Sequence, residues 1–186
     1  ACPTNRRDRV RTNRVMAGRE CIQMHVCYTL RMGPVLKKMN LKDQTPVVVL
    51  DAPTSFEAEL ESLTDRSVVS ERDAVEECSD IGFAVAFVMT QSAVDGAARL
   101  LAPRLGDDPL LWFAFPKQSS KRYTCEFNRD TGWAVLGKFG FEPVRQVAVD
   151  EDWSALRFRR VDRIKTITRR SSMAVTEDAK RRTTGS

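Results

Sequence analysis

The chain has 186 residues, of which 42% are hydrophobic and 30% charged, a composition typical of one globular domain with a buried core. Its longest apolar run, residues 81–89, is about half as long as the roughly 20 residues that span a bilayer, which argues against a membrane helix and a membrane partner. The net charge of +5 lies at the two ends of the chain, so a specific nucleic-acid-binding face is not expected.

The N-terminal segment, residues 1–31, contains seven arginines and shows no helical or strand periodicity. It lacks the uninterrupted apolar stretch and the cleavage site of a signal peptide. We interpret it as a disordered or non-native extension, with Met32 as the alternative start. Because His25 is the only histidine, a folded part beginning at Met32 has no histidine for acid–base, triad or metal chemistry.

The folded part begins with a strand and a helix. The β-branched run "PVVVLDAP", residues 46–53, predicts a buried strand that ends at Pro53. "TSFE" then predicts a capping box, with Thr54 at the N-cap and Glu57 three residues later. The apolar face of this helix is expected to contain Phe56, Leu60 and Leu63.

Three further segments continue the alternation of strand and helix. Residues 67–70 predict a short strand, 81–89 a central strand, and 109–116 another buried strand that ends at a proline. A helix is predicted over residues 91–105. Its buried face should contain Val94, Ala97, Ala98 and Leu101.

A last helix is predicted over residues 129–139, followed by Gly140 as the glycine that ends it. Arg129 and Asp130 suit an ion pair and cap at its start better than catalytic roles. The core-facing residues of this helix are expected to be Trp133, Leu136 and Phe139.

Residues 144–160 predict a β-hairpin with a charged tip. Strands at 144–149 and 154–160 are joined by "DEDW", residues 150–153, a connection of ordinary hairpin length. In the second strand Leu156 and Phe158 share one face, whereas Arg157 and Arg159 take the other.

This order of elements predicts an α/β fold: a three-layer, Rossmann-like, mostly parallel sheet that ends in an antiparallel β-hairpin, as in methyltransferase-type folds. The single α/β domain should cover residues 32–161. For residues 162–186 we expect a short helix, packed through Ile164 and Ile167, and then a basic, partly disordered tail.

Ligands of parallel sheets lie beyond the carboxyl ends of the strands. The loop after Pro116 offers hydroxyls and cations that suit a phosphate or carboxylate, although a solvated basic loop explains the same residues. The candidate anion-binding residues are Lys117, Ser119, Ser120 and Lys121. The candidate polar residues of the cleft are Asp51, Thr54, Asp130, Asp150 and Trp153.

The acids of the hairpin tip have two interpretations. Asp150, Glu151 and Asp152 suit acid–base groups or a weak divalent-cation site. Consecutive side chains diverge, however, so we favour a structural role. The acids would then pair with arginines across the hairpin, and Trp153 would close the edge of the core. The expected arginine partners are Arg145, Arg157 and Arg159.

The five cysteines form no CxxC pair, so neither a disulfide framework nor a metal cluster is predicted. We expect the reduced thiols of a cytoplasmic protein. Cys125 follows a lysine-rich loop that could lower its thiol pKa. The loop after the first strand, "LDAPTSFE", contains no glycine, which argues against a dinucleotide or S-adenosylmethionine site. We therefore predict no cofactor and no metal.

Several motifs resemble a bacterial family known as domain of unknown function 3052 (DUF3052). These are "MGPVLKKMN", "LLWFAFPKQSSKRY", "GFEPVRQVAVDEDWSALRFR" and "AVTEDAKRRT". The resemblance covers about residues 32–184 and supports Met32 as the start. It implies a Rossmann-like, methyltransferase-like topology without the glycine-rich cofactor loop. It implies no activity, cofactor or catalytic residue for this chain.

Three functions remain open at this point. The first is a non-catalytic module that binds a small anionic ligand or a protein partner. The second is a divergent methyltransferase-like enzyme that uses Asp51 with Asp130 or Asp150 as polar groups. The third is a nucleic-acid accessory protein that acts through its basic tail, residues 160–186.

Overall fold

The computed structural model describes residues 32–165 and 174–184. Its helices are α1 (Pro34–Lys38), α2 (Glu57–Glu61), α3 (Arg72–Glu76), α4 (Gln91–Leu101), α5 (Ala134–Lys138) and α6 (Glu177–Thr184). Its strands are β1 (Val47–Leu50), β2 (Val68–Val69), β3 (Ile81–Phe87), β4 (Leu105–Pro116), β5 (Phe141–Ala148) and β6 (Trp153–Arg160). The expectations for residues 1–31 and for Ile167 fall outside these residues.

The described strands form one six-stranded sheet in the order β2-β1-β3-β4-β6-β5. The pairs among β1, β2, β3 and β4 are parallel, whereas β6 runs antiparallel to both β4 and β5. Strand β5 therefore points the same way as β4, and β6 is the one reversed strand. The predicted fold class is confirmed: an α/β, mostly parallel sheet with an antiparallel end.

Helices cover both faces of the sheet and give three layers. One hydrophobic cluster joins β-strand residues to Val75 of α3, Val94 of α4 and Leu136 of α5. The cluster on the other face includes Leu36 of α1 and Phe56, which precedes α2. Strands with both faces buried need continuous apolar runs, which explains the sequences of β1 and β3. No helix within the described ranges is long and apolar enough to cross a bilayer.

Helix α2 begins differently from the prediction. The residue before the first helical turn is Pro53, and Thr54 already lies inside a 3-10 turn, so no side chain caps this start. The predicted capping box with Thr54 at the N-cap is therefore wrong. A residue with helical backbone angles cannot take the extended N-cap conformation. The buried face is largely as expected, because Phe56 and Leu63 are buried and Leu60 is partly buried.

Helix α5 is shorter than predicted, because residues 129–133 form turns instead of a helical turn. The Asn128 side-chain oxygen accepts hydrogen bonds from the backbone N–H groups of Asp130 (2.8 Å) and Thr131 (3.2 Å). This local turn competes with the helix. Asp130 is thus neither a helix cap nor part of a helix start. Gly140 has a φ of 78°, which confirms the predicted glycine after the helix.

The helical face predicted for this segment is only partly correct. Trp133 and Leu136 are buried, but Phe139 is 38% exposed. In α4 all four predicted core residues are buried. The helix expected around Ile164 and Ile167 extends into residues outside the described ranges; among the described residues, Ile164 follows a 3-10 turn at Val161–Arg163, and the helix of the tail is α6.

Two buried glutamates fix the starts of short helices, one to a neighbouring helix and the other to the sheet. The Glu59 carboxylate of α2 accepts the backbone N–H groups of Val35 and Leu36, both at 3.1 Å, at the start of α1. The Glu142 carboxylate of β5 accepts the N–H groups of Val175 (2.7 Å) and Thr176 just before α6. Each carboxylate satisfies N–H groups that a helix start leaves without partners.

Removal of the Glu142 carboxylate should loosen α6. Glu142→Ala leaves two N–H groups of a buried segment without acceptors, which costs about 1–3 kcal/mol of unfolding free energy. Chemical denaturation should show this loss, and hydrogen exchange of the Val175 and Thr176 amides should accelerate. Glu151→Ala, at an exposed position of the hairpin tip, is the matched control. Unchanged exchange at both amides would contradict this assignment.

Candidate functional site

The carboxyl ends of β1, β3, β4 and β5 lie at one edge of the sheet, where the antiparallel strand β6 begins. The long connection from β4 to α5, residues 117–133, crosses this edge. We call it the β4–α5 loop. Most of the candidate residues from the sequence belong to it or to the β5–β6 connection, residues 149–152.

An open cleft of about 960 Å³, here called the loop pocket, lies between the β4–α5 loop and the sheet. Phe115 and Phe127 supply apolar lining, and Gln146 and Ser154 line it from β5 and β6. This size falls within the range of small-molecule sites. The polar and ionisable lining residues of the loop are Lys117, Gln118, Ser119, Ser120, Tyr123, Thr124, Cys125, Glu126, Asn128, Arg129 and Asp130.

Ser154 is the most informative residue of the loop pocket. Its side chain lies on the same sheet face as Leu156 and Phe158, opposite Phe115 in the register of β4 and β6. The residue is only 5% exposed. Its hydroxyl has no hydrogen-bond partner in the part of the chain that the structure describes. Among the described residues, the buried side-chain N and O atoms without a partner belong to Trp153 and Arg157, so the Ser154 hydroxyl is open to the loop pocket, where a bound polar atom can meet it.

Ser154 was not among the residues predicted from the sequence, although a signal was present. The strand "WSALRFRR" places one polar side chain, Ser154, among the apolar residues of its inward face. A polar residue at a core position of an alternating strand is the informative exception to burial rules. This pattern does not by itself identify a binding residue, since many buried serines bond to nearby backbone.

The predicted anion-binding residues only partly come together. Lys117, Ser119 and Ser120 line the loop pocket, whereas Lys121 does not. The Lys117 ammonium donates to the Asp150 carbonyl at 2.6 Å, which uses one of its three N–H donors. Ser119 is exposed at the rim.

Ser120 has a structural role within the β4–α5 loop. Its hydroxyl donates to the Asp152 carboxylate at 2.8 Å. The same oxygen accepts the backbone N–H groups of Arg122 (3.2 Å) and Tyr123 (3.1 Å). With these three bonds Ser120 holds the loop to the β5–β6 connection and has little remaining capacity for a ligand.

The acids of the hairpin tip bond to the loop and to backbone. One Asp150 oxygen accepts the N–H groups of Asp152 (2.8 Å) and Trp153 (2.7 Å), and the other accepts the Ser55 hydroxyl at 2.7 Å. Asp152 forms an ion pair with Arg122 at 3.6 Å. The expected ion pairs with arginines of the hairpin strands are therefore wrong. A tight turn keeps these acids at the sheet edge, away from the strand interior where those arginines lie.

Trp153 packs on the opposite face of the sheet from the loop pocket. Its ring lies 5.3 Å from Phe87 and 5.2 Å from Tyr123, so it closes the edge of the core as expected. The indole N–H is buried and has no acceptor among the described residues. Asp150, the residue that shapes this corner, is not part of the pocket lining.

The remaining cleft candidates are dispersed. Asp51 has a φ of 54° and forms an ion pair with Arg72 of α3. Thr54 is exposed. Asp130 lines the loop pocket. The five candidate polar residues therefore do not form one cleft.

A carboxylate already occupies the start of α4. The Glu126 carboxylate accepts the N–H of Gln91 at 2.7 Å, and the Thr90 hydroxyl accepts the N–H of Ala93 at 3.2 Å. The helix start thus satisfies its own N–H groups. These bonds also tie the β4–α5 loop to α4, which fixes one wall of the loop pocket.

Cys125 lines the loop pocket, but its thiol is not activated. Burial raises the pKa of Cys125 above its ordinary value, the bond to the Phe127 backbone opposes this, and the charge of Glu126 raises the pKa further. The hypothesis that the lysine-rich loop lowers this pKa is therefore wrong. Within residues 32–165 and 174–184, no group of three or more His, Cys, Asp or Glu side chains could hold a metal ion.

No family profile and no curated protein matches the chain. Among solved structures, a candidate type 11 methyltransferase from Sulfolobus solfataricus is 10% identical, covers 67% of this chain and 77% of its own, and has a TM-score of 0.41. A protein of the NADB-Rossmann superfamily from Streptococcus agalactiae is 11% identical; the match covers 70% of this chain and 69% of that protein, with a TM-score of 0.38. The pyocyanin biosynthetic protein PhzM is 13% identical; the match covers 61% of this chain and 42% of that protein, with a TM-score of 0.37. Similarity at this level assigns no activity and no residue role.

The raised pKa of Cys125 predicts slow alkylation near neutral pH, since the thiolate is the reactive form. The iodoacetamide rate at Cys125, followed by mass spectrometry, should rise with pH with a midpoint above that of the same cysteine in urea-unfolded protein. Glu126→Gln removes the neighbouring charge and should lower the midpoint of the folded protein. A folded midpoint equal to or below the unfolded one would contradict the raised pKa of Cys125.

Proposed function

We propose that the protein is a binding module whose loop pocket holds a small polar ligand that carries an anionic group. The observation on which this rests is the Ser154 hydroxyl, which has no protein partner among the described residues and opens into a cleft of about 960 Å³. A ligand hydroxyl, carbonyl or phosphoryl oxygen would bond to Ser154, while Phe115 and Phe127 pack against its apolar part.

The anionic group is supported by the donors of the pocket. Lys117 keeps two N–H donors after its bond to Asp150, and Arg129 and Ser119 are exposed in the lining. The negative charge of Glu126 faces the start of α4, where it bonds to Gln91. Hydroxyls and cations of this kind bind phosphate and carboxylate groups.

A role in binding without catalysis is supported by the state of the ionisable groups. Burial raises the pKa of the Cys125 thiol above its ordinary value, which disfavours nucleophilic attack near neutral pH. Asp130 is exposed at the rim of the loop pocket and has no ion-pair partner among the described residues. Tuned acids and bases are normally desolvated or coupled to a specific partner.

Thermal shift and calorimetry with ribose 5-phosphate, inorganic phosphate, citrate and neutral ribose test this function. The anionic probes should stabilise the protein, and ribose 5-phosphate should exceed inorganic phosphate because it can also reach Ser154. Ser154→Ala removes one hydrogen bond and should weaken ribose 5-phosphate about tenfold. Lys117→Met keeps the apolar stem and should weaken all anionic probes by tenfold or more.

Lys121→Met is the matched control, because Lys121 belongs to the same loop but does not line the pocket. It should leave the affinity of each probe unchanged. No saturable binding of any anionic probe to the intact protein would refute the proposal. Equal losses in Lys117→Met and Lys121→Met would also refute it, because they would indicate a diffuse charge effect.

A methyltransferase-like enzyme is the second candidate, favoured by the reversed strand β6 between β4 and β5. The turn after β1 argues against the usual cofactor mode, because Asp51 takes the left-handed conformation and pairs with Arg72 where glycines would let a cofactor approach. We expect no saturable heat when the protein is titrated with S-adenosylmethionine at millimolar concentration. Saturable heat that disappears in Asp51→Ala would favour the enzyme.

A further inference from the structure

Three arginines share the sheet face opposite the loop pocket, near the open edge formed by β5. Arg145 of β5 stands directly opposite Arg157 of β6, and Arg159 follows two residues further along β6. Directly paired residues of antiparallel strands lie side by side on one face, and like charges in such pairs are destabilising. The arrangement is therefore unfavourable unless something neutralises it.

A β-bulge creates this pair. Pro143 pairs with Phe158, but the next pair along the ladder joins Arg145 to Arg157, so β5 contains one extra residue, Val144. Without the extra residue, Val144 would stand opposite Arg157. Bulges of this kind redirect side chains and are common beside functional sites.

Only one of the three arginines is neutralised. The Asp108 carboxylate accepts two bonds from Arg159, at 2.9 and 2.6 Å. Arg145 and Arg157 have no carboxylate or other hydrogen-bond partner among the described residues. Asp108 thus contacts only Arg159 and acts on Arg157 at longer range, whereas no carboxylate of the described residues contacts Arg145.

Arg157 is held in place by its surroundings. Its Nε is closed off from solvent without an acceptor, while the side chain as a whole is half-buried. Burial lowers the pKa of Arg157, the charges of Arg159 and Arg145 lower it further, and Asp108 acts in the opposite direction. A half-buried guanidinium without a counter-ion is a costly group that an anion would stabilise.

We propose that Arg145 and Arg157 form a binding site for a phosphate group. Two neighbouring guanidinium groups present planar sets of N–H donors that match the oxygens of a dianion and neutralise both charges at once. Arg159, which is fixed by Asp108, borders the site. The site lies on the other sheet face from Ser154, so it is independent of the function proposed for the loop pocket.

The test is a titration of the ¹⁵N-labelled full chain with inorganic phosphate at constant ionic strength, followed through arginine Nε–H signals. The buried Nε–H of Arg157 should give a slowly exchanging signal, assigned by its loss in Arg157→Lys. This signal should shift along a saturating curve. Acetate, which carries one charge, should bind at least tenfold more weakly than phosphate.

Arg145→Gln is the decisive variant, because Arg145 is exposed and its loss should not impair folding. It should weaken phosphate binding at least tenfold at the Arg157 signal, whereas the surface control Arg99→Gln should leave it unchanged. Ser154→Ala should also leave it unchanged, which separates this site from the loop pocket. A shift that is absent or does not saturate, or an unchanged affinity in Arg145→Gln, would overturn the proposal.

Discussion

The insertion of β6 between β4 and β5 is the constraint on which the rest of the structure depends. Strand β6 pairs antiparallel with both neighbours, so it joins β5, at the edge of the sheet, to β4. Because successive side chains of a strand alternate between faces, this one strand supplies Ser154 to the loop pocket and Arg157 to the opposite face. A shift of its register by one residue would exchange these faces and bury the arginines in the aromatic core.

The register of β6 is set at its first residues by Asp150. Its carboxylate binds the backbone of the following turn and the Ser55 hydroxyl, and its carbonyl accepts the Lys117 ammonium. The hairpin tip is thereby joined to the segment before α2 and to the β4–α5 loop. Asp150, for which the sequence favoured a structural role over acid–base chemistry or cation binding, thus connects three separate parts of the chain.

The sequence predicted those parts of the fold that depend on local patterns. Continuous apolar runs located β1, β3 and β4, and the alternation of "WSALRFRR" gave the faces of β6 correctly. The sequence patterns did not predict that the Asn128 side chain would form a turn with the backbone in place of the first helical turn, which shortens α5. Long-range capping was missed too, because Glu142 meets Thr176 only after the chain has folded. Pro143 suits an edge strand or a bulge, but it does not specify which residue is extra, so the pairing of Arg145 with Arg157 was not predicted.

In this fold, the presence or absence of a hydrogen-bond partner separates structural polar residues from candidate functional ones. The carboxylates of Glu59 and Glu142 are buried, and each meets two backbone N–H groups. Against that pattern, the indole N–H of Trp153 and the Nε–H of Arg157 are buried without an acceptor among the described residues, and the Ser154 hydroxyl opens to the loop pocket without a protein partner. Ser154 and Arg157 are the two of these residues that lie at a proposed site. Both could have been replaced by apolar residues of similar size at little cost to folding. Their presence is therefore explained better by an oxygen that comes from a ligand than by the stability of the domain.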